Sequence, residues 1–289
     1  DLHCHTRISD GSLTMREVIQ LAKKQGITHL AITDHDTTKG LPDAVMIGEE
    51  YDVQVVPGIE ISAYDYVRNR SAHILGYYVT PGHEAIASLC DPLLEQRHHV
   101  SYEMVKKIQK AGYNISWEQV SRYAEYGTAV YKQHIMHALI EKGYTDRIYG
   151  DLYYQLFHKG ETKETSGIAH IPIRYIDAID AIQAIRNAGG IPVLAHPKQF
   201  NNFPAIPEWV EKGLEGIEVK HPLHSPEDEK RAIHYAETFN LIKTGGSDFH
   251  GEYGDNNYSL GSRHVGLNEI NELLDRRSNA SADSLNVKQ

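Results

Sequence analysis

The chain has 289 residues, of which 40% are hydrophobic and 24% charged, values typical of a globular protein with one large or two modest domains. Its net charge of −10 argues against non-specific binding to duplex nucleic acid or an anionic membrane, and no apolar stretch reaches the ~20 residues that span a bilayer. Two cysteines, Cys4 and Cys90, cannot form a disulfide framework, so a reducing, cytoplasmic compartment is expected.

Strands and helices alternate along most of the chain. The opening "DLHCH" looks like a strand end, so a few residues are expected before Asp1. Residues 13–25 predict a helix capped by Ser12 or Thr14. The remaining strand patterns are "THLAIT", "VQVVPGIEIS", "SAHILGYYV", "GGIPVLAHP", "GLEGIEVK" and "NLIKTGGSDFH", and helical patterns cover 41–50, 175–188, 206–212 and 226–239. Seven strands alternating with helices predict an α/β fold with a parallel sheet, closed as a TIM-like barrel.

Residues 84–166 interrupt this alternation with helical patterns and no convincing strand. We interpret them as a small all-helical domain inserted after the fourth strand, which divides the barrel into residues 1–83 and 167–275. The polar, Ser/Asn/Ala-rich residues 276–289 are predicted to form a flexible tail.

Imidazole and carboxylate side chains fall near the ends of six predicted strands. They are His3, His5, Asp10, His35, Glu60, His73, His196, Asp248 and His250. Because the carboxyl ends of parallel barrel strands open on one face, these groups are expected to converge there. His73 fits least well, since it begins its strand pattern.

Each of these residues, taken singly, is compatible with a surface position or a polar turn. Together they would be a poor way to build a core, because every buried polar group needs a partner. Divalent ions would supply that partner, and mixed His/carboxylate ligands suit Zn²⁺, Mn²⁺ or Fe²⁺. Cys90 is remote in sequence, and Cys4 is expected to point away from its neighbours into the barrel wall.

The motifs "DLHCHTRISDG", "AITDHDT", "PGIEIS", "HILGY", "VLAHP" and "TGGSDFHG" resemble those of the PHP (polymerase and histidinol phosphatase) family of metal-dependent phosphoesterases. The helical insertion resembles the branch that acts on nucleotides and on the 5′ ends of short oligonucleotides. The resemblance implies a distorted (β/α)₇ barrel with two or three divalent ions. It implies a first ion on His3, His5, Glu60 and Asp248, a second on Asp10, His35 and His250, and a third on Glu60, His73 and His196.

Two adjacent cations can share a bridging water, lower its pKa toward neutrality and thereby provide hydroxide to attack a phosphate ester. His250 is a candidate catalytic residue as well as a ligand. Asp34 and Asp36 are predicted to orient His35 or to act as general acid or base. Asp36 could instead cap the helix that follows Gly40.

Candidate substrate contacts are cationic or imidazole side chains, and for each a solvated or merely structural position is an open alternative. They are Arg97, Lys132, His134, Lys198, His221 and His224. The similar branch often carries Arg-Pro-His where this chain has "KQH" at residues 132–134. A lysine cannot form the bidentate fork of an arginine, so this departure leaves the exact substrate open.

The predicted function is hydrolysis of phosphate esters in small phosphorylated metabolites, with nucleotides such as 3′,5′-bisphosphates as the leading substrates. Three alternatives are a 5′-to-3′ exonuclease on short RNA or DNA, a phosphatase of the histidinol-phosphate type, and a non-catalytic metal-stabilised module.

Overall fold

The computed structural model describes residues 1–162, 164–254 and 258–286, with side chains through residue 278. The strands are β1 (His29–Ile32), β2 (Gln54–Asp65), β3 (Arg70–Tyr77), β4 (Ile176–Asp177), β5 (Ile191–Leu194), β6 (Gly216–Lys220) and β7 (Ile242–Gly245). The helices are α1 (Met15–Lys24), α2 (Leu41–Tyr51), α3 (Glu84–Lys110), α4 (Trp117–Tyr123), α5 (Lys132–Glu141), α6 (Asp151–Phe157), α7 (Ala178–Asn187), α8 (Ile206–Glu211), α9 (Pro226–Phe239) and α10 (Leu267–Asn286).

The strands form one sheet in the order β1-β2-β3-β5-β6-β7, with β4 added to β2. Residues 1–5 join the two edges. On one side the Leu2 amide donates to the Gly245 carbonyl at 3.1 Å, and on the other the Ala31 amide donates to the Asp1 carbonyl at 2.9 Å. The sheet therefore curls into a distorted barrel, which confirms the predicted fold class. Residues 1–5 do not form a regular strand. They are joined to the sheet through these backbone hydrogen bonds and one isolated bridge at Cys4.

The prediction of an all-parallel sheet is wrong at β3, which runs antiparallel to both β2 and β5. Only residues 66–69 connect β2 to β3, whereas a parallel crossover needs about a dozen residues. This reversal brings the beginning of β3 to the end of the barrel where the other strands finish. It therefore explains how His73 can start its strand and still face the predicted site.

Side-chain alternation along the strands separates two apolar layers. Ile59 and Ile61 of β2 pack with the surrounding helices, so Glu60 between them faces the barrel interior. Ile217 of β6 likewise packs outward, and Glu218 faces inward. A smaller interior cluster includes Leu2, Ala31, Val56, Leu75, Val193 and Ile242, and α10 packs Ile270 and Leu273 against it.

Helices α3 to α6 share an apolar cluster of their own that includes Met104, Ile108, Ile135, Leu139 and Phe157. The beginning of α3 packs instead with the barrel, through Ile86, Cys90 and Leu93. This arrangement supports our proposal of a helical insertion, although α3 begins inside the barrel core. Local sequence explains two of the helix starts, because Thr14 forms a capping box with Glu17, and the Ser116 side chain caps α4.

Residues 276–286 belong to α10, where the sequence predicted a flexible tail. They contain no Gly or Pro, and Arg276 anchors the helix through its contacts with Glu215 and the Asn240 carbonyl. Residues 287–289 of that prediction lie outside the described residues. In the described part of the chain, no helix has both the length and the apolar character needed to cross a bilayer.

Candidate metal centre

The structure brings the nine predicted ligands into one buried group at the end of the barrel. Glu60 lies at its middle. Its Oε2 atom is 3.1–3.3 Å from ring nitrogens of His3, His5 and His35. Its Oε1 atom is 2.9 Å from His73 Nδ1 and 3.0 Å from His196 Nε2. One carboxylate therefore offers its two oxygens to two separate sets of imidazoles, as expected of a bridging ligand.

Two aspartates complete the group. Asp248 Oδ1 is 3.4 Å from His3 Nε2 and 3.2 Å from His5 Nε2. Asp10 Oδ1 is 3.4 Å from His250 Nε2 and 3.8 Å from His5 Nδ1. The atoms of the nine predicted ligands consequently form three ion-sized sets: His3, His5, Glu60 and Asp248; His5, Asp10, His35 and His250; His35, Glu60 and His73. His196 adjoins the third set through Glu60.

Several of these atoms are buried without any hydrogen-bond partner. They include His3 Nε2, His5 Nε2, Asp10 Oδ1 and Asp248 Oδ1. Unpaired buried polar atoms are costly, and here they face one another across the space where an ion would sit. Mixed imidazole and carboxylate donors are the set that Zn²⁺, Mn²⁺ or Fe²⁺ accepts. The residues present therefore fit a divalent-metal centre.

The protein's own charges prepare the carboxylates to act as anionic ligands. Burial opposes the charge on Glu60, but the neighbouring His3 and His35 hold the pKa of its carboxyl well below the usual range. Burial also disfavours a charged ring at His5, yet the carboxylates of Asp248 and Glu60, 3.2 and 3.1 Å from its Nε2, outweigh burial and raise the pKa of the ring to about 10. A metal ion must displace this proton, so we expect metal binding to release protons at neutral pH.

Asp34 holds the loop that carries two of these ligands. Its buried carboxylate accepts hydrogen bonds from the amide and hydroxyl of Thr6, at 2.8 and 2.7 Å, and from the amide and hydroxyl of Ser9, at 3.2 and 2.6 Å. These bonds fix the turn between His5 and Asp10. The predicted acid–base role of Asp34 does not fit, because both of its carboxylate oxygens accept hydrogen bonds from the loop and Asp34 lines neither of the two cavities beside the candidate ligands.

Asp36 is fully buried. It accepts hydrogen bonds from the Ser62 amide at 2.7 Å and from Arg97 Nη2 at 2.9 Å. The α2 helix begins at Gly40 without a side-chain cap, so the capping alternative is not observed. The φ angle of Asp36 is +58°, which is unusual for a residue with a side chain. Tertiary contacts must sustain this conformation. This geometry favours an orienting role, with Arg97 as the side chain that Asp36 orients.

Arg97 and Lys132 line a cavity of about 180 Å³ together with Asp10, His35 and His73. The Arg97 guanidinium lies 4.7 Å from the centre of the Tyr131 ring. Burial and the charge of Arg97 lower the pKa of Lys132 to about 8. An adjoining cavity of about 240 Å³ shares His35 and His73 and is also lined by His196, His221 and Asp248. Two of the predicted substrate contacts thus lie directly beside the metal ligands.

Three other predicted substrate contacts are engaged elsewhere, and none of them lines these two cavities. His134 is fully buried at the start of α5, where its Nδ1 accepts from the Tyr131 amide at 3.0 Å. His224 Nδ1 donates to the Val219 carbonyl at 2.7 Å. Lys198 is exposed and pairs with Asp228 at 3.4 Å. Their sequence positions suggested the pocket, but local hydrogen bonds and an ion pair hold all three outside it.

His221 and His250 support neighbouring ligands. The Leu223 amide donates to His221 Nδ1 at 3.1 Å, so the ring hydrogen lies on Nε2, which faces Asp248 Oδ2 at 3.4 Å. His250 Nδ1 donates to the Asp248 carbonyl at 2.8 Å, which leaves its Nε2 facing Asp10. His221 therefore orients a ligand at the pocket wall. A ligand role for His250 fits this geometry, and its additional catalytic role stays a prediction.

Sequence reasoning missed two polar groups of the site. Glu218 is fully buried and contacts both His3 and the His196 amide. Its signal was a single carboxylate among apolar residues in "GIEVK". Gln133 Nε2 donates to Asp10 Oδ2 at 2.9 Å and to the Tyr149 hydroxyl at 3.1 Å. Its position drew notice as a departure from the similar family, without any indication of this contact.

A barrel that gathers imidazoles and carboxylates at one end fits a metal-dependent hydrolase. The family model of the PHP domain matches residues 1–186. The chain belongs to the PHP domain family.

Relatives that span most of the chain agree. A phosphoribosyl 1,2-cyclic phosphate 1,2-diphosphodiesterase from Eggerthella lenta is 43% identical, covering 88% of this chain and 95% of the relative. A 5′-3′ exoribonuclease from Haemophilus influenzae is 28% identical, covering 86% and 89%. A 3′,5′-nucleoside bisphosphate phosphatase from Chromobacterium violaceum is 29% identical, covering 86% of each.

Solved structures lead to the same conclusion. A Bifidobacterium adolescentis protein assigned as a metal-dependent phosphoesterase superposes with a TM-score of 0.86 at 29% identity, covering 96% of this chain and 95% of that one. A Chromobacterium violaceum amidohydrolase with bound sulfate gives 0.83 at 26% identity, covering 96% of each. The prediction of a metal-dependent phosphoesterase is confirmed.

Proposed function

We propose that the substrate is a small ribose compound carrying two phosphoryl groups. One is hydrolysed at the metal centre, and the other is held by Arg97 and Lys132. The observation that carries this proposal is the pair of adjoining cavities, one lined in part by the predicted metal ligands and one containing Arg97 and Lys132, with His35 and His73 in both walls. Cations outside the ligand set are what a second phosphate requires.

The names of the relatives support this substrate class. Phosphoribosyl 1,2-cyclic phosphate and a nucleoside 3′,5′-bisphosphate both carry two phosphoryl groups on one ribose. The sulfate in the Chromobacterium violaceum amidohydrolase has the charge and shape of a phosphate group. We rank the cyclic phosphate first, because that relative has the higher identity, and the bisphosphate predicted from the sequence second.

The centre would hold two or three divalent ions of Mn²⁺, Zn²⁺ or Fe²⁺ on the three sets of ligand atoms described above. Such ions, when bound, would lower the pKa of a water molecule and offset charge on the phosphoryl oxygens. The chain itself supplies position. Glu60 spans the ligand sets, Asp36 holds Arg97 toward the substrate, and Gln133 ties the helical insertion to Asp10. Tyr131 and Gln133 also line the cavity that contains Arg97 and Lys132.

The exonuclease alternative is favoured by the relatives named as exoribonucleases. It differs in requiring space for a chain of nucleotides beyond the first ribose. A single-phosphate substrate such as histidinol phosphate would leave Arg97 and Lys132 without a ligand. The named relatives are enzymes, which argues against a non-catalytic module.

Cys4 and Cys90 are both buried as free thiols, which supports our proposal of a reducing, cytoplasmic location.

The decisive assay compares phosphoribosyl 1,2-cyclic phosphate and a nucleoside 3′,5′-bisphosphate with a nucleoside 3′-monophosphate and a short 5′-phosphorylated RNA. We expect the two small two-phosphate compounds to have the highest kcat/KM. Lys132→Ala should raise their KM about tenfold, since a charge-assisted hydrogen bond contributes roughly 1.5–3 kcal/mol. The monophosphate should be little affected.

Lys110→Ala provides the matched control, because this lysine is exposed at the end of α3. Its kinetics should equal those of the wild type. The proposal is wrong if the monophosphate is turned over as efficiently as the two-phosphate compounds, or if Lys132→Ala affects all substrates equally. Release of successive mononucleotides at a higher kcat/KM would establish the exonuclease instead.

A further inference from the structure

Glu218 is a fully buried carboxylate in the middle of β6, with Ile217 and Val219 on either side. It is absent from the ligand sets that the family resemblance implied. A carboxylate in such a place needs strong partners, because burying an unpaired charge is very costly. We propose that Glu218 is a positioning residue that fixes the ring of His3 for metal binding. This inference rests on the metal centre of the proposed function and is independent of the substrate.

The two oxygens of Glu218 contact two different segments of the barrel. Oε1 lies 3.2 Å from His3 Nδ1, and Oε2 accepts from the His196 amide at 2.8 Å. One buried side chain on β6 thereby holds both the N-terminal segment and the segment that follows β5. Those two positions carry a ligand of the first set and a histidine that adjoins the third.

The hydrogen bond also determines which nitrogen of His3 is free. An ionised carboxylate can only accept, so His3 Nδ1 must carry the ring hydrogen. The lone pair then lies on Nε2, which is 3.2 Å from Glu60 Oε2 and 3.4 Å from Asp248 Oδ1. This is the atom that faces the first ion. Metal-binding histidines commonly donate their other nitrogen to a carboxylate in this way.

His3, Glu218 and His221 also lie close enough to be considered as a separate ion site. Hydrogen bonding argues against it. An ion beside Glu218 would take the lone pair of His3 Nδ1 and leave the ring hydrogen on Nε2, which would remove His3 from the first ligand set. His221 already uses Nδ1 with the Leu223 amide and turns Nε2 toward Asp248. A positioning role accounts for all of these contacts.

The test is Glu218→Gln, which keeps the size of the side chain. Its carbonyl can still accept from the His196 amide, but its NH₂ group would face His3 Nδ1. The ring would then favour a hydrogen on Nε2 and lose the first ion's ligand atom. We expect calorimetric titration of the metal-free protein with Mn²⁺ to show about 10- to 100-fold weaker affinity at one site. Excess Mn²⁺ should restore part of the activity.

Glu215→Gln is the matched control. Glu215 is only three residues away and pairs with Arg186 and Arg276 on the outside of the barrel. It should retain wild-type Mn²⁺ affinity. Circular dichroism and urea unfolding of the metal-free variants would show whether either change disturbs the fold.

Wild-type Mn²⁺ affinity and stoichiometry in Glu218→Gln would overturn the proposal. If that variant does not fold, Glu218→Asp gives a second test, because it keeps the charge but withdraws it from His3. It should also weaken one Mn²⁺ site, and unchanged affinity would count equally against the proposal. Because Mn²⁺ binding is measured without substrate, a failure of the two-phosphate hypothesis would leave this result unaffected.

Discussion

At the scale of single residues, the acidic side chains around the centre have different tasks. Glu60 lies within 3.3 Å of five imidazoles and faces the space between them. Asp34 instead uses its carboxylate to accept hydrogen bonds from loop residues 6 and 9. The same chemical group is thus a candidate ligand in one place and a loop anchor in the other.

Asp34→Asn tests the anchoring role. The amide would keep one acceptor and set its NH₂ against donors of Thr6 or Ser9, so bonds at one side of the loop would be lost. We expect the free energy of unfolding of the metal-free protein, measured in urea, to fall by about 1–3 kcal/mol.

The exposed Asp43 in α2 provides a matched Asp→Asn control with little expected effect on stability. If Asp34→Asn loses activity while its unfolding free energy stays at the wild-type value, the anchoring account fails and the acid–base role regains support.

The sequence allowed most residues of the candidate metal centre to be proposed, but it gave no indication of contacts that depend on the folded helices or of Glu218. His3, His5, Glu60 and Asp248 were predictable because strand periodicity and strand ends are local patterns. The contacts of His134 and Lys198 depend on the Tyr131 amide and on Asp228, whose positions follow only from the folded helices. Glu218 was missed because a lone carboxylate within an apolar strand gives no spacing motif.

At the scale of secondary-structure elements, the reversed strand β3 is the feature that places His73. It packs against α7 at a point where its backbone comes very close to the helix. A Cβ atom added at Gly76 would lie 2.9 Å from both γ carbons of Ile185 and 3.1 Å from a methyl of Ile59. Glycine is therefore required for the contact between β3 and α7.

Gly76→Ala should destabilise the protein by about 1–3 kcal/mol in urea unfolding, since added volume in a packed core forces shifts of the surrounding side chains. Gly254→Ala is a suitable control, because it has φ −70° and the nearest atom to an added Cβ would be 3.5 Å away. Equal stability of both variants would contradict the close packing of β3 on α7.

Element boundaries were predictable where capping residues mark them, as at Thr14 and Ser116. The direction of β3 was wrongly predicted as parallel, although the short 66–69 connection contains the necessary information. The helical continuation through residues 276–286 was missed because polar composition was interpreted as disorder, whereas Arg276 joins that helix to the barrel.

At the scale of the whole molecule, barrel closure explains why residues far apart in sequence form one centre. His3 and Asp248 meet because the N-terminal segment bonds to β7 on one side and to β1 on the other. The helical insertion then reaches over this end through Gln133 and its bond to Asp10. The barrel thus gathers the candidate ligands, and residues 84–166 place Arg97, Lys132 and Gln133 beside them.

The measurement that tests this account most directly is anomalous X-ray diffraction from crystals of the protein loaded with Mn²⁺. We predict anomalous peaks for two or three ions, with one among His3, His5, Glu60 and Asp248 and another among His5, Asp10, His35 and His250. The same preparation should lose phosphoesterase activity on exhaustive chelation and regain it with Mn²⁺. Peaks confined to other surfaces, or full activity after chelation, would contradict the account.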